Sequence, residues 1–197
     1  VSATARGVDW TPEQKKWLIE RFAVIARPMM IEFMGPNSCI AASRVTVECL
    51  RLIGIPAIPV PTKFVVQVPS IERAYAAGLT SEEMATAKTS QRIWGTGWEG
   101  HLVVFADDRY LLDPSFDAAE TALALPVDHK VQIFDLGQKP DLEYMHLEMV
   151  AISEEVGQIK IQYVSTRDES YQDTEAWNDE GLPLLATDIL LKMRGSR

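Results

Sequence analysis

Apolar residues recur at helical spacing through the first third of this 197-residue chain, and beyond it the pattern breaks into short β-type runs separated by turn residues. Thr11-Pro12-Glu13-Gln14 is a helix start, with a hydroxyl to cap orphan amides, a proline suited to the first helical position and a glutamine to complete a capping box. Trp17, Leu18, Phe22, Ile25 and Ala26 then predict a helix with one face on the core to about Arg27, where Pro28 kinks or ends it. Gly35-Pro36-Asn37-Ser38 breaks the chain, and Asn37 or Ser38 caps a second helix over 39–53 that Gly54 stops. Residues 63–68 have strand composition, whereas 71–78 and 81–90 look like two short helices forming an excursion outside any sheet. A glycine-rich loop from Trp94 to Gly100 leads into runs at 101–105 and 109–112, which read as a hairpin about Asp107-Asp108. Strands at 131–136, 144–152 and 158–164 and a terminal helix over 182–193 complete a single α+β domain spanning 1–197.

Nineteen Lys plus Arg against 28 Asp plus Glu give a net charge of -9, which argues against a surface that tracks phosphates and hence against nucleic acid as a partner. No run approaches the roughly 18 apolar residues of a membrane-spanning helix, and the N-terminal residues lack a signal-type apolar stretch, so a cytoplasmic protein without a membrane partner is expected. Oligomeric state is not legible. Cys39 and Cys49 on one helix would stand about 15 Å apart, out of disulfide reach, and should be free thiols. No paired His or Cys spacing suits zinc, and the glycine loop has neither the Lys-Ser/Thr of a P-loop nor the strand-loop-helix setting of a dinucleotide site. Neither a metal nor a cofactor is expected.

Chemistry concentrates on three positions. A thiol in the first turn of a helix, as Cys39 would be, feels the positive end of the helix dipole and nearby amides, which favour the nucleophilic thiolate. Cys49, deep in the same helix, has no such advantage. A thiol nucleophile needs an imidazole, and the imidazole needs an orienting group. His101 opens one hairpin strand and Asp113 closes the other. With Ala106-Asp107-Asp108 as the loop, the two lie directly opposite each other on one face, whereas a loop of Asp107-Asp108 alone would send them to opposite faces. Blander readings stand beside this one: Cys39 as a small buried hydrophobe, Asp113-Pro114 as a strand-ending turn, His101 as a polar residue at a strand edge. His129 and His146 read as structural or solvated. The acidic stretch over 168–180, with Tyr171 and Trp177, is read as a solvated connection, with a partner-binding arm as the alternative.

Asn37-Ser-Cys39-Ile-Ala-Ala, Cys49-Leu-Arg-Leu-Ile-Gly-Ile-Pro-Ala57, Gly100-His101-Leu-Val-Val-Phe and Tyr110-Leu-Leu-Asp113-Pro-Ser-Phe116 together resemble the core of the transglutaminase-like superfamily of papain-type cysteine enzymes. The His101 and Asp113 pieces also resemble its arylamine N-acetyltransferase branch. The resemblance covers roughly residues 36 to 117 and departs from the pattern at Val103, where an aromatic is common, and at Gly-Pro-Asn-Ser-Cys39, where the acetyltransferases carry Arg-Gly-Gly-x-Cys. It implies a papain-like core of N-terminal helices on an antiparallel sheet, with Cys39 as nucleophile, His101 as general base and acid and Asp113 orienting the imidazole. Acyl transfer through a thioester would follow, on a peptide, protein or small acyl substrate, with the Cys39 amide in the oxyanion hole and Asn37, Trp94 or Trp98 as a second oxyanion or substrate contact. An arylamine acetyltransferase and a non-catalytic binding module on the same fold are the alternatives.

Overall fold

The computed structural model describes residues 9–36, 38–79, 98 and 100–195. Helix α1 (Pro12–Met34) begins at the expected capping box: Thr11 Oγ1 accepts from the Gln14 amide and the Gln14 side chain accepts from the Thr11 amide. It does not end at Pro28. Pro28 and Val24 both lie on the solvent side, so water can serve the Val24 carbonyl that a proline leaves without a donor, and the helix runs on to Gly35. Gly35 turns the chain with φ 78°, and α2 (Cys39–Leu52) follows, with Cys39 as its first residue.

Strand β1 (Ala57–Val68) is the centre of a seven-stranded, fully antiparallel sheet with the path β5-β4-β3-β1-β7-β6. The other members are β2 (Arg73–Ala77), β3 (His101–Ala106), β4 (Tyr110–Asp113), β5 (Gln132–Asp135), β6 (His146–Ser153) and β7 (Gly157–Ser165). One edge of β1 pairs first with β3, over Ala57 to Thr62, and then with β2, over Phe64 to Val68. Its other edge pairs with β7 only from Thr62 onward, so Pro59 and Pro61 fall where a single strand neighbour makes demands on the backbone. Segment 73–77 is therefore a strand, contrary to the helix expected over 71–78. Its Arg-Ala-Tyr-Ala-Ala composition suits a helix, but the edge of β1 left open beyond Thr62 takes it up and buries Tyr75 edge-on to Phe64, so tertiary pairing overrides local propensity. The helix expected over 81–90 lies outside the described residues.

Alternation along β3 and β4 divides the core. Val104, Ala106, Tyr110 and Leu112 face α1, α2 and the terminal helix α5 (Leu182–Gly195), packing on Phe22, Met30, Val45, Leu50 and Ile189. Val103, Phe105 and Leu111 face the other way, onto Phe64, Tyr163, Phe116 and the short α3 (Asp117–Leu123). The result is an α+β fold with N-terminal helices on one side of a curled antiparallel sheet, and among the described residues no helix is long and apolar enough to cross a membrane. The acidic stretch is not a solvated connection. A 3-10 turn (Ser170–Asp173) and a single-turn helix α4 (Glu175–Asn178) fold back onto α2, burying Tyr171 beside Ile40, Leu102 and Trp98.

Leu50 and Leu52 test the orientation of α2, since one is fully buried and the other 56% exposed. Leu50→Ala should destabilise the protein by about 2–5 kcal/mol in urea unfolding and Leu52→Ala by no more than about 0.5 kcal/mol; equal losses would contradict the packing of that helix.

Candidate active site

Cys39 is half-buried at the first position of α2. Ser38 stands at the capping position but turns its hydroxyl to the Gly35 carbonyl, 3.0 Å away, so its side chain does not cap the first-turn amides. One turn on, the Ser43 hydroxyl donates to the carbonyl of Leu102 at 2.8 Å. Residues four apart share a helix face, so the bond that ties α2 to the start of β3 also presents Cys39 to His101. Thr62, paired with His101 across β1 and β3, donates to the His101 carbonyl at 2.9 Å and holds that strand end from the other side.

His101 and Asp113 are both buried and directly bonded, Nε2 to Oδ2 at 2.7 Å, and the Cys39 side chain is among the groups that raise the same imidazole. The remaining ring nitrogen, Nδ1, is thus the one available to the thiol. The hairpin reaches this parity by a route other than the expected loop of Ala106-Asp107-Asp108. Asp107 and Asp108 both take left-handed conformations, with φ near 52° and 51°, in a tight turn closed by the Arg109 amide on the Ala106 carbonyl. Arg109 is then one extra residue, because the ladder resumes with Ala106 opposite Tyr110, Phe105 opposite Leu111 and Val104 opposite Leu112. Its carbonyl accepts from Leu136 and its guanidinium forks onto Asp135 at 2.6 and 2.7 Å, which pins the insertion to the end of β5. Continuing that register, Asp113 falls opposite Val103, and His101 lies two residues further along the same face. The pair is diagonal and not directly opposite.

Asp113 collects two further donors. Its Oδ2 also accepts the Tyr163 hydroxyl at 2.7 Å, and its Oδ1 accepts the Ser115 amide at 3.0 Å. Burial alone would raise this carboxyl, yet the charge and hydrogen bond of His101, with the Ser115 and Tyr163 bonds, hold it below its ordinary value. Burial likewise opposes a charged His101, but the Asp113 carboxylate and the Cys39 side chain outweigh it and raise the imidazole to about 10. Tyr163 is driven well above its usual value by burial and by Asp113, so it stays a donor. Phe64 completes the support: its ring stacks on His101 at 4.3 Å and on Tyr163, its cross-strand partner, at 4.8 Å. Tyr163 and Phe64 are absent from the sequence reading. Their only signal is alternation on two strands, and that does not reveal which strands become neighbours.

Of the other expected contacts, Asn37 and Trp94 lie outside the described residues. Trp98 lies edge-on to Tyr171, and its indole N–H donates to Asp168 at 3.0 Å. Cys49 is fully buried, and burial followed by the charge of Glu48 pushes its thiol up to about 12. His129 and His146 are exposed, near Asp117 and Glu148 respectively.

The buried pair makes stability depend on pH. His101, raised from its ordinary 6.5 to about 10, contributes fully below 6.5, and its contribution is lost as pH rises toward 10. Asp113, lowered from 3.8, contributes above 3.8, and its share is lost as pH falls through its depressed value. Urea midpoints of the wild type relative to His101→Gln should therefore fall progressively between pH 6.5 and 10; a constant difference over that range would rule out the buried ion pair. Tyr163→Phe, which keeps the ring stack and removes one donor to a charged acceptor, should cost about 1.5–3 kcal/mol in the same assay. No family model, curated protein or solved structure matches the chain.

Proposed function

We propose that the protein is a cysteine-nucleophile acyl-transfer enzyme with a papain-like, transglutaminase-like core, acting on an amide, ester or thioester of a peptide, a protein or a small acyl compound. The observation that carries this reading is the buried His101–Asp113 pair, bonded at 2.7 Å, whose imidazole is also raised by the Cys39 side chain at the start of α2. The Cys39 sulfur attacks the acyl carbonyl carbon, and the helix N-terminus with the Cys39 amide faces the negative oxygen that develops. As the carbonyl re-forms, the carbon–leaving-group bond breaks. His101 gives its Nδ1 proton to the departing amine, alcohol or thiol, leaving a thioester on Cys39. Water or an amine then attacks the thioester carbon while His101 takes the attacking group's proton, and the carbon–sulfur bond breaks to restore the thiolate. Asp113 keeps the imidazole in the orientation that points Nδ1 at sulfur, and Tyr163 and Ser115 keep Asp113 ionised.

Cys49 is a built-in control, being a buried thiol on the same helix. At about pH 7 iodoacetamide should modify Cys39 rapidly and leave Cys49 untouched, with Cys39 slowed about tenfold or more in His101→Ala while Cys49 stays protected. Incubation with p-nitrophenyl acetate should place an acetyl group on the Cys39 peptide of the wild type and not of that variant. A Cys39 that reacts no faster than an ordinary thiol, is indifferent to His101 and takes no acetyl group would refute the acyl-transfer reading.

A further inference from the structure

Arg27 is among the largest fully buried side chains of the described residues, and it belongs to α1. Its Nε and Nη2 fork onto Asp117 at 3.1 and 2.5 Å, and Nη2 also donates to the Pro36 carbonyl at 2.6 Å. Asp117 is four residues beyond Asp113, and Pro36 is three residues before Cys39. The one guanidinium therefore joins the turn that delivers the thiol to the segment that carries the orienting carboxylate.

Such a group is a poor choice for stability alone. A buried ion pair commonly contributes no more than apolar side chains of the same volume would, because both charges lose their hydration. Here the balance is worse, since Nη1 is buried without a hydrogen-bond partner among the described residues. The fork does supply geometry. Two parallel bonds on Asp117 fix the plane of the guanidinium, and that plane fixes where the Pro36 carbonyl sits. The other bonds at the described residues of this turn are local, the Gly35 amide to the Ile31 carbonyl, the Ser38 hydroxyl to the Gly35 carbonyl and the Ala42 amide to the Ser38 carbonyl, whereas the Arg27 fork ties Pro36 to a distant part of the chain. The neighbouring titratable groups are Glu120, raised to about 7 chiefly by burial, and the exposed His129, whose Nδ1 is 4.0 Å from Asp117.

We propose that Arg27 is a positioning residue for the thiol–imidazole pair, holding Pro36, three residues before Cys39, against Asp117 so that Cys39 meets His101. The inference rests on the acyl-transfer reading above. Arg27 touches neither the thiol nor the imidazole; it acts through Pro36 on one side and Asp117 on the other. Freed from that tie, Cys39 would remain at the start of α2 but lose its register with Nδ1, and errors of about 1 Å in such pairs cost up to about a hundredfold in rate.

The test is the double variant Arg27→Met/Asp117→Leu, which replaces both charges with apolar groups and leaves neither unpaired. Iodoacetamide labelling of both cysteines would be followed against pH in the wild type, the double variant and His101→Ala. Expected is a double variant in which Cys49 stays protected, so the core is intact, while Cys39 labelling at about pH 7 falls about tenfold or more and its pH profile comes to match that of His101→Ala. A protected Cys49 with the wild-type Cys39 rate and profile would overturn the role of Arg27 alone. A wild type no faster than His101→Ala would overturn the acyl-transfer reading and this inference with it. If Cys49 becomes reactive in the double variant, Asp117→Asn, which keeps the side-chain shape and weakens the fork, is judged on the same two rates: slowed Cys39 with protected Cys49 supports the tie, and unchanged Cys39 overturns it.

Discussion

The Asp113 carboxylate is a negative charge held out of water, and a charge so placed costs several kcal/mol unless donors surround it. Three donors do so, and each comes from a different place: His101 at the start of β3, Tyr163 on β7 and the Ser115 amide in the turn after β4. The requirement reaches well beyond the site. Tyr163 meets Asp113 only if β7 pairs with β1 so that Phe64 and Tyr163 are cross-strand partners, and His101 meets it only if the β3–β4 hairpin carries an odd number of loop residues. Phe64 sits between the imidazole and the phenol as a flat spacer. The inner face of the sheet is thus arranged about one carboxylate.

The thiol reaches this arrangement from the opposite layer. α2 packs on the helix side, and its first turn projects to the rim where β3 begins. Ser43 and Thr62 grip consecutive carbonyls there, those of Leu102 and His101, so helix and sheet are registered at the point where Cys39 and His101 must meet. Behind it lies a second buried carboxylate, Asp117, matched by Arg27 from α1. Two buried charge pairs lie here, their carboxylates four residues apart in the chain, and apolar packing from Phe64, Phe116 and the Trp98–Tyr171 cluster shields them from water.

Much of this was legible in the chain. The capping box at Thr11, the position of Cys39 at a helix start and the hairpin about Asp107-Asp108 are local features, each specified by a few adjacent residues. The hairpin also shows where local reading fails. Parity puts His101 and Asp113 on one face, but the loop residues differ from the expected ones, because the insertion at Arg109 is held by Asp135 and Leu136, more than twenty residues away. The composition of β2 favours a helix, and only the vacant edge of β1 makes it a strand. Charge in the acidic stretch suggests a solvated connection, whereas Tyr171 and Trp177 within it find apolar and cationic partners on α2.

What the sequence determined by itself was whatever depends on neighbours along the chain: helix starts and stops, strand alternation, turn chemistry and the order of the thiol, imidazole and carboxylate. What only the tertiary structure decided was which distant side chains supply the remaining donors. Tyr163, Phe64, Ser43 and Arg27 carry no local mark of their roles, since a hydrogen bond across the fold depends on strand order and layer packing. Those follow from the joint burial of many apolar side chains, and no short stretch of sequence encodes that alone.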